Sequence, residues 1–372
     1  MMPPDSPILV AGASVRAAVC SAIMAGWNVC GADLFCDRDL QSQCECMRLK
    51  PYPDALSALV ASGRFSGLMI TGGLENEPDL LAHCQQQVPL LGVDLSFLRV
   101  VRDPFQLARI WQANGIPSPE VREVRPTNGQ WLQKPLRSAG GQRILCSTPN
   151  DETTPSNAYF QRMVDGTSCS GVFAVQPSQA YFLGATEQLV GTDWSGPEPF
   201  SYCGSVGPMP QTQSSVQQWQ QIGHALASQV SHVNHVGIVG VDAIEQNGEI
   251  WPVEVNPRYV ASIEVLERSW GESIFQRGLC IDHKTCDSTR DAQRIFGKLI
   301  VYANRDGILA EDFFRTVHDS NCGKSVAFAD IPFDHDVVRH SPILTVFAEG
   351  NSRAEVLAAL RIRQQFVNSS IR

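Results

Sequence analysis

Over the first hundred residues, short apolar runs alternate with stretches of helical spacing. Ile8-Leu9-Val10-Ala11 reads as a buried strand. The turn Gly12-Ala13-Ser14-Val15-Arg16 follows, and small and apolar residues then continue as a helix to Met24. Residues 28–33 and 68–71 read as further strands, the second running into Gly72-Gly73. Strands alternating with helices predict a parallel sheet covered on both faces. Near Leu98 the pattern changes. Residues 103–114 carry apolar positions at helical spacing (Phe105, Leu107, Ala108, Ile110, Trp111) and stop at Asn114-Gly115, with Pro117 and Pro119 beyond. Strands are expected at 131–134 and 143–146 around a loop holding Gly140 and Gly141. Residues 150–157 read as a polar surface loop, and strands at 158–164 and 170–175 as parts of one antiparallel region.

Further on, Val216, Trp219, Ile222, Leu226, Val230 and Val233 share one face of an expected helix over 216–233. Strands at 236–244 and 249–255 flank Gln246-Asn247-Gly248, and an Asn-Gly between two apolar runs is a hairpin signal. The last eighty residues mix strands at 299–302 and 343–348 with a helix at 352–368, and no internal repeat is visible.

Composition narrows the classes. At 372 residues, two or three domains are expected. With 43% hydrophobic and 18% charged residues, wholesale disorder is excluded. A net charge of -9 argues against a nucleic-acid partner, and 8% aromatics against a stacking platform for single strands. No apolar run is long enough to span a bilayer, and 1–5 lack the start of a signal peptide, so a soluble, cytoplasmic protein without a membrane partner is expected. The twelve cysteines are scattered. Cys44 and Cys46 form the one close pair, without the second pair or nearby histidines that zinc sites bring.

The residues richest in chemistry lie on the expected hairpin. Side chains alternate along a strand, so Glu254 and Asn256 share a face, and pairing can bring the Asp242 carboxylate to it. Two carboxylates and an amide oxygen suit Mg²⁺, a hard cation that keeps water or phosphate oxygens in its other positions. Arg258 follows on the same side, placed to meet phosphates or a developing anion. The bland alternative, a surface hairpin with solvated acids, fits poorly with the apolar flanks of both strands. Lys134 is the second element. It ends a strand and is followed by Arg137-Ser138-Ala139-Gly140-Gly141, a loop of small residues that can clamp phosphates by charge and backbone N–H groups. Nothing apolar after Leu136 would hold that loop in place without phosphates.

Taken in order, Lys134-Pro135 with its glycine loop, Gln161-Arg162-Met163-Val164-Asp165-Gly166, Gly240-Val241-Asp242 and Glu254-Val255-Asn256-Pro257-Arg258 resemble the ATP-grasp superfamily. The Gly115-Ile116-Pro117-Ser118-Pro119 turn sits where that family enters its grasp. The resemblance implies an α+β ATP-grasp fold with an N-terminal Rossmann-like pre-grasp domain over 1–98. An ATP-grasp domain over 99–295 follows, its lid at about 120–170, and then a C-terminal α/β extension over 296–372. It further implies that Lys134, Gly140 and Gly141 meet the ATP phosphates, that Gln161, Arg162, Met163 and Val164 form the hinge beside adenine, and that Asp242, Glu254 and Asn256 hold Mg²⁺. Lys134 and Arg258 would be the catalytic cations of an ADP-forming carboxylate-amine ligase acting on small-molecule carboxylate and amine substrates, with homo-oligomerisation open. Segments such as 33–40 and 72–76 also resemble a subgroup that accompanies tetrahydromethanopterin-linked one-carbon metabolism.

Two departures stand out. Family members often carry Asp-Lys before the helix entering the grasp, where this chain has Asp103-Pro104, so Arg102 or Arg109 would have to replace that lysine, or the contact is lost. The hinge commonly holds a glutamate where Gln161 stands. These changes keep open a non-catalytic or regulatory ATP-binding protein. An NAD(P) site at Gly12 and Asp33 lacks the glycine fingerprint. His232 and His235 read best as residues of a helix end. No G-x-S-x-G elbow exists around Ser205. Gly184, Glu187 and 202–207 are candidates for a second substrate's pocket, with plain strand residues as the alternative.

Overall fold

The computed structural model describes residues 6–147, 156–191, 194–231, 237–275, 294–322 and 326–372. The N-terminal strands are β1 (Ile8–Ala11), β2 (Val29–Asp33), β3 (Cys46–Arg48), β4 (Leu68–Ile70) and β5 (Leu90–Leu91). They form a parallel sheet in the order β3-β2-β1-β4-β5. Helices α1 (Arg16–Met24), α2 (Arg38–Gln43), α3 (Ala55–Val60), α4 (Pro78–Gln85) and α5 (Leu95–Val101) connect them. Alternation along β1 sends Ile8 and Val10 into one apolar cluster and Leu9 and Ala11 into another, which is why the run has no polar position. Gly12 allows the turns after β1 and β4 to touch: a Cβ there would lie 2.0 Å from Thr71 Oγ1. Asp33 accepts hydrogen bonds from the N–H groups of Val15, Phe35 and Cys36 and is buried. It is a brace for these turns, unavailable to a ribose, and the dinucleotide reading falls with it.

Helix α6 (Pro104–Ala113) starts where Asp103 caps the N–H groups of Phe105 and Gln106 and proline occupies the first helical position. Four short strands, β6 (Val121–Arg122), β7 (Trp131–Pro135), β8 (Leu145–Ser147) and β9 (Ala158–Arg162), then make an antiparallel sheet in the order β6-β9-β7-β8. The remaining elements are β10 (Thr167–Gln176), β11 (Gln179–Val190), β12 (Tyr202–Gly207), α7 (Gln213–Ala227), β13 (Gly237–Gln246), β14 (Glu249–Asn256), α8 (Ala261–Trp270), β15 (Ile295–Tyr302), β16 (Gly307–Ile308), α9 (Glu311–Asn321), β17 (Phe328–Ala329), β18 (Asp336–Val337), β19 (Pro342–Gly350) and α10 (Arg353–Ser369). Eight of these strands form one antiparallel sheet, β14-β13-β10-β11-β12-β15-β19-β17. Residues 296–372 therefore supply three of its strands.

Two expectations need correcting. The strands read at 158–164 and 170–175 belong to different sheets, and the chain crosses between them at Gly166. There φ is +155°, and a Cβ would meet the Glu245 carbonyl at 2.3 Å. The helix expected over 216–233 runs from Gln213, where Thr212 and Ser215 form a reciprocal cap, and ends at Ala227. Val230 is buried beyond its end. Residues 150–155 of the expected loop, together with His232 and His235, lie outside the described residues. Cys44 and Cys46 are free thiols, and burial pushes Cys44 up to about 11 and Cys46 higher still, against a thiolate metal site. Among the described residues no helix is long and apolar enough to cross a membrane.

Under the large sheet, Trp219 of α7 stacks on Phe182 with centroids 5.5 Å apart, and Gly171 of β10 lies against the same indole. A Cβ at 171 would stand 2.6 Å from the ring. Gly171→Ala should therefore destabilise the protein by about 1–3 kcal/mol, because a packed indole cannot retreat. An unchanged denaturant midpoint would contradict this packing.

Candidate active site

β13 and β14 pair so that Asp242 lies opposite Glu254 and Gly240 opposite Asn256. The Asn247-Gly248 turn, with Asn247 at φ 52° and Gly248 at φ 82°, sets the register as far as Ala243 opposite Pro252, and a bulge there shifts it so that Asp242 meets Glu254. Asp242, Glu254, Asn256 and Arg258 all line one cleft of about 420 Å³ between the four-stranded and eight-stranded sheets. Lys134, Gly140, Gly141, Gln161, Arg162, Met163 and Val164 line it from the other side. The structure thus brings together every residue expected to meet ATP or Mg²⁺.

The contacts are specific. Asn256 Nδ2 donates to Asp242 Oδ2 at 3.0 Å, and Gln188 Nε2 donates to Asp242 Oδ1 at 2.8 Å. Burial, then the neighbouring Glu254 charge, pushes the Asp242 carboxyl up to about 6. Burial alone would raise Glu254 too, but Arg102 and Lys134 outweigh it and hold that carboxyl below its ordinary value. Arg102 Nη1 lies 2.5 Å from Glu254 Oε1, and its Nη2 donates to Asn76 Oδ1 and to the Ser138 carbonyl. Arg258 Nε donates to Glu75 Oε1 at 2.7 Å and its Nη2 to Asn256 Oδ1 at 3.1 Å. Lys134 is 6% exposed, and its Nζ donates to Gln161 Oε1 at 3.2 Å. Gln161 in turn donates to the Val253 carbonyl at 3.2 Å, linking β9 to the metal-type hairpin. Desolvation works against the Lys134 charge, but Tyr159 and Glu254 prevail, so its pKa is raised and the ammonium persists.

A family comparison settles what this cleft is built on: residues 101–262 match the ATP-grasp domain. That stretch of the chain is similar to an ATP-grasp domain. No curated protein sequence matches the chain. Among solved structures, the L-amino acid ligase from Bacillus licheniformis superposes with a TM-score of 0.70 at 14% identity, covering 100% of this chain and 98% of that one. A carboxyaminoimidazole ribonucleotide synthase from Aspergillus clavatus, complexed with ATP, gives 0.69 at 12% identity, with 99% of each chain covered. The biotin carboxylase domain of the Hydrogenobacter thermophilus 2-oxoglutarate carboxylase, in complex with MgADP and bicarbonate, gives 0.69 at 10% identity over 93% of this chain and 86% of that one. At such identities the likeness is one of fold.

The donor set of this cleft fits Mg²⁺. The two half-buried carboxylates face each other, and the Glu254 charge raises the cost of ionising Asp242, which a divalent cation relieves; the Asn256 amide oxygen adds a third hard donor. Among the described residues no cluster of three or more His, Cys, Asp or Glu is arranged for a metal. Sequence reasoning missed Glu75, Asn76 and Gln188. Gln188, a polar residue within an apolar strand, carried a signal, and Glu75 and Asn76 lie in the 72–76 segment whose resemblance was noted, but their distance along the chain from Arg258 and Arg102 hid the contact. Of the residues considered for a second pocket, Tyr202 lines the cleft, Glu187 is paired with Arg353, and Gly184 is packed against Trp270.

The glycine loop also differs from expectation. It is held even without phosphates: Ser138 by Asn76 and Arg102, and the Gly140 carbonyl by the Tyr202 N–H at 3.0 Å. A Cβ on Gly141 would stand 1.9 Å from the Phe200 carbonyl. These contacts run through carbonyl oxygens, so the amides remain available to an anion. Hydrogen exchange at 138–142 should slow on adding Mg²⁺ and a non-hydrolysable ATP analogue, and more than at 254–256. Equal exchange in a saturated sample would contradict the clamp.

Proposed function

We propose that this protein is an ATP- and Mg²⁺-dependent, ADP-forming ligase that activates a substrate carboxylate as an acylphosphate for attack by an amine. One observation carries the reading: Lys134, Arg258 and the Asp242–Glu254–Asn256 set converge on one cleft of an ATP-grasp domain. Nucleotide binding alone requires no such combination. The similar solved structures are named as a ligase, a synthase and a carboxylase domain bound to MgADP, which supports the same chemistry.

In this reading Gln161, Arg162, Met163 and Val164 border the adenine, and Lys134 with the N–H groups of Gly140 and Gly141 binds the phosphates. Asp242, Glu254 and Asn256 would hold Mg²⁺, which supplies charge neutralisation to the phosphates. A substrate carboxylate oxygen attacks the γ-phosphorus, the bond to the β–γ bridging oxygen breaks, and ADP leaves. The amine then attacks the acyl carbon, phosphate departs, and the ammonium proton passes to it. The residues contribute positioning and charge rather than covalent bonds. Arg258, fixed by Glu75, faces the reacting anion.

Arg102 stands in for the missing lysine at Pro104. Its pairing with Glu254 favours a second reading, a nucleotide-binding protein without turnover. Screening carboxylates and amines for ADP and AMP release decides between the two. The ligase releases ADP only when both substrate classes are present. AMP release, or nucleotide that binds without turnover under any pair, overturns it.

A further inference from the structure

Gln188 meets the Asp242 carboxylate from a strand that does not pair with it. β10 lies between β11, which carries Gln188, and β13, which carries Asp242. Ser170 of β10 pairs with Asp242 on one side and with Thr186 on the other. Residues opposite one another in a ladder share a face, and so do alternate residues of one strand. Ser168, Ser170, Asp242 and Gln188 therefore lie on one face, and all four line the cleft. Two strand spacings, about 9.5 Å, separate β11 from β13, so the Gln188 side chain extends across β10 to reach Asp242. Serines at 168 and 170 leave that line open, where longer side chains would stand in it. The reach ends in a hydrogen bond from Gln188 Nε2 to Asp242 Oδ1 at 2.8 Å, while Asn256 Nδ2 donates to Oδ2 at 3.0 Å. With an N–H on each oxygen, the carboxylate cannot turn about its Cβ–Cγ bond without losing one of them. Each oxygen keeps a further lone pair for a cation.

We propose that Gln188 is a positioning residue: by reaching across β10 it fixes the plane of the Asp242 carboxylate and so sets the affinity of the cleft for Mg²⁺. This rests on the metal assignment in the ligase reading above. Mg²⁺ demands near-ideal octahedral geometry, so a carboxylate free to rotate binds it less well than one held in place. Asn256 is itself counted among the donors, and Arg258 also draws on its amide oxygen. Gln188 stands outside the donor set, so its hold on Asp242 does not compete with the cation. Hydrogen-bond partners of metal ligands are typically worth about ten- to a hundredfold in metal affinity. A glutamine that only completes the packing of β11 would leave that affinity alone.

ADP binding in EDTA and in saturating Mg²⁺ isolates the metal's share as the ratio of the two Kd values, without knowledge of the natural substrate. In the wild-type protein Mg²⁺ should tighten ADP. Gln188→Met, which keeps the length of the side chain and loses the N–H, should reduce that gain by about tenfold while the Kd in EDTA stays within about twofold. Gln188→Asn keeps the amide but stops one methylene short of Asp242. It should lose the same gain, and it carries the test if the Met variant fails to fold. A purely structural role would lower Tm and leave the ratio unmoved. An unchanged ratio in either variant, or a Kd that rises equally in EDTA and in Mg²⁺, overturns the positioning role and leaves the ligase reading standing. A wild-type protein whose ADP affinity is the same with and without Mg²⁺ overturns the metal assignment, and the positioning role with it.

Discussion

Glu254→Gln leaves a folded protein whose ATP-dependent turnover falls by about a thousandfold or more. The amide is isosteric but carries no charge to share with Asp242 in holding the cation. The fold survives because Arg102, the direct partner of Glu254, keeps Asn76 and the Ser138 carbonyl as acceptors. Losing the carboxylate also relieves Asp242, whose elevated pKa owes its second cause to Glu254. A purely structural acid would behave in the opposite way, with a large drop in Tm and little direct effect on the chemical step. ADP release and thermal melts on the same preparation separate the two. Near-normal turnover in Glu254→Gln removes the metal assignment.

The second large effect falls on Lys134. Lys134→Met keeps the apolar stem and deletes the ammonium, and kcat/KM for ATP should fall by roughly a thousandfold, about 4 kcal/mol of transition-state stabilisation. The head lies in a desolvated corner between Gln161 and the Tyr159 ring, 5.9 Å from the ring centroid. Charge there acts through a low dielectric and loses little to solvent. Lys134→Arg should not restore activity, because the planar fork needs more room and different acceptors. Removing the ammonium should also cost some stability, because its raised pKa means that the fold favours the charged form, and steady-state kinetics with a melt of each variant checks both. A Met variant with wild-type kcat/KM would place the phosphates elsewhere.

Much of the site was legible because its signals are local. Asn247-Gly248 fixes the hairpin, alternation fixes the shared face of Glu254 and Asn256, and Lys134 precedes a run of small residues. The rest depends on contacts that sequence spacing does not encode. Arg102 meets Glu254 across 152 positions, and Arg258 meets Glu75 across 183. The split of 158–164 and 170–175 between two sheets turns on one glycine at a close crossing, which period-two alternation on either side cannot reveal. The glycine loop was misread for a similar reason. Its lack of apolar residues was visible, but its docking through Ser138 and Gly140 carbonyls uses groups that every residue has.

The account stands most directly on nucleotide binding that requires both the divalent ion and the 254 carboxylate. Thermal unfolding measured with ATP, with and without Mg²⁺, tests it in one set of samples. With MgATP at 100 times its dissociation constant, the wild-type protein should gain about 2.7 kcal/mol, and a smaller amount without the metal. Glu254→Gln should lose the part that depends on Mg²⁺. No response to ATP, ADP or GTP at millimolar concentration with Mg²⁺, or a shift produced by NAD(P)H alone, would contradict the account.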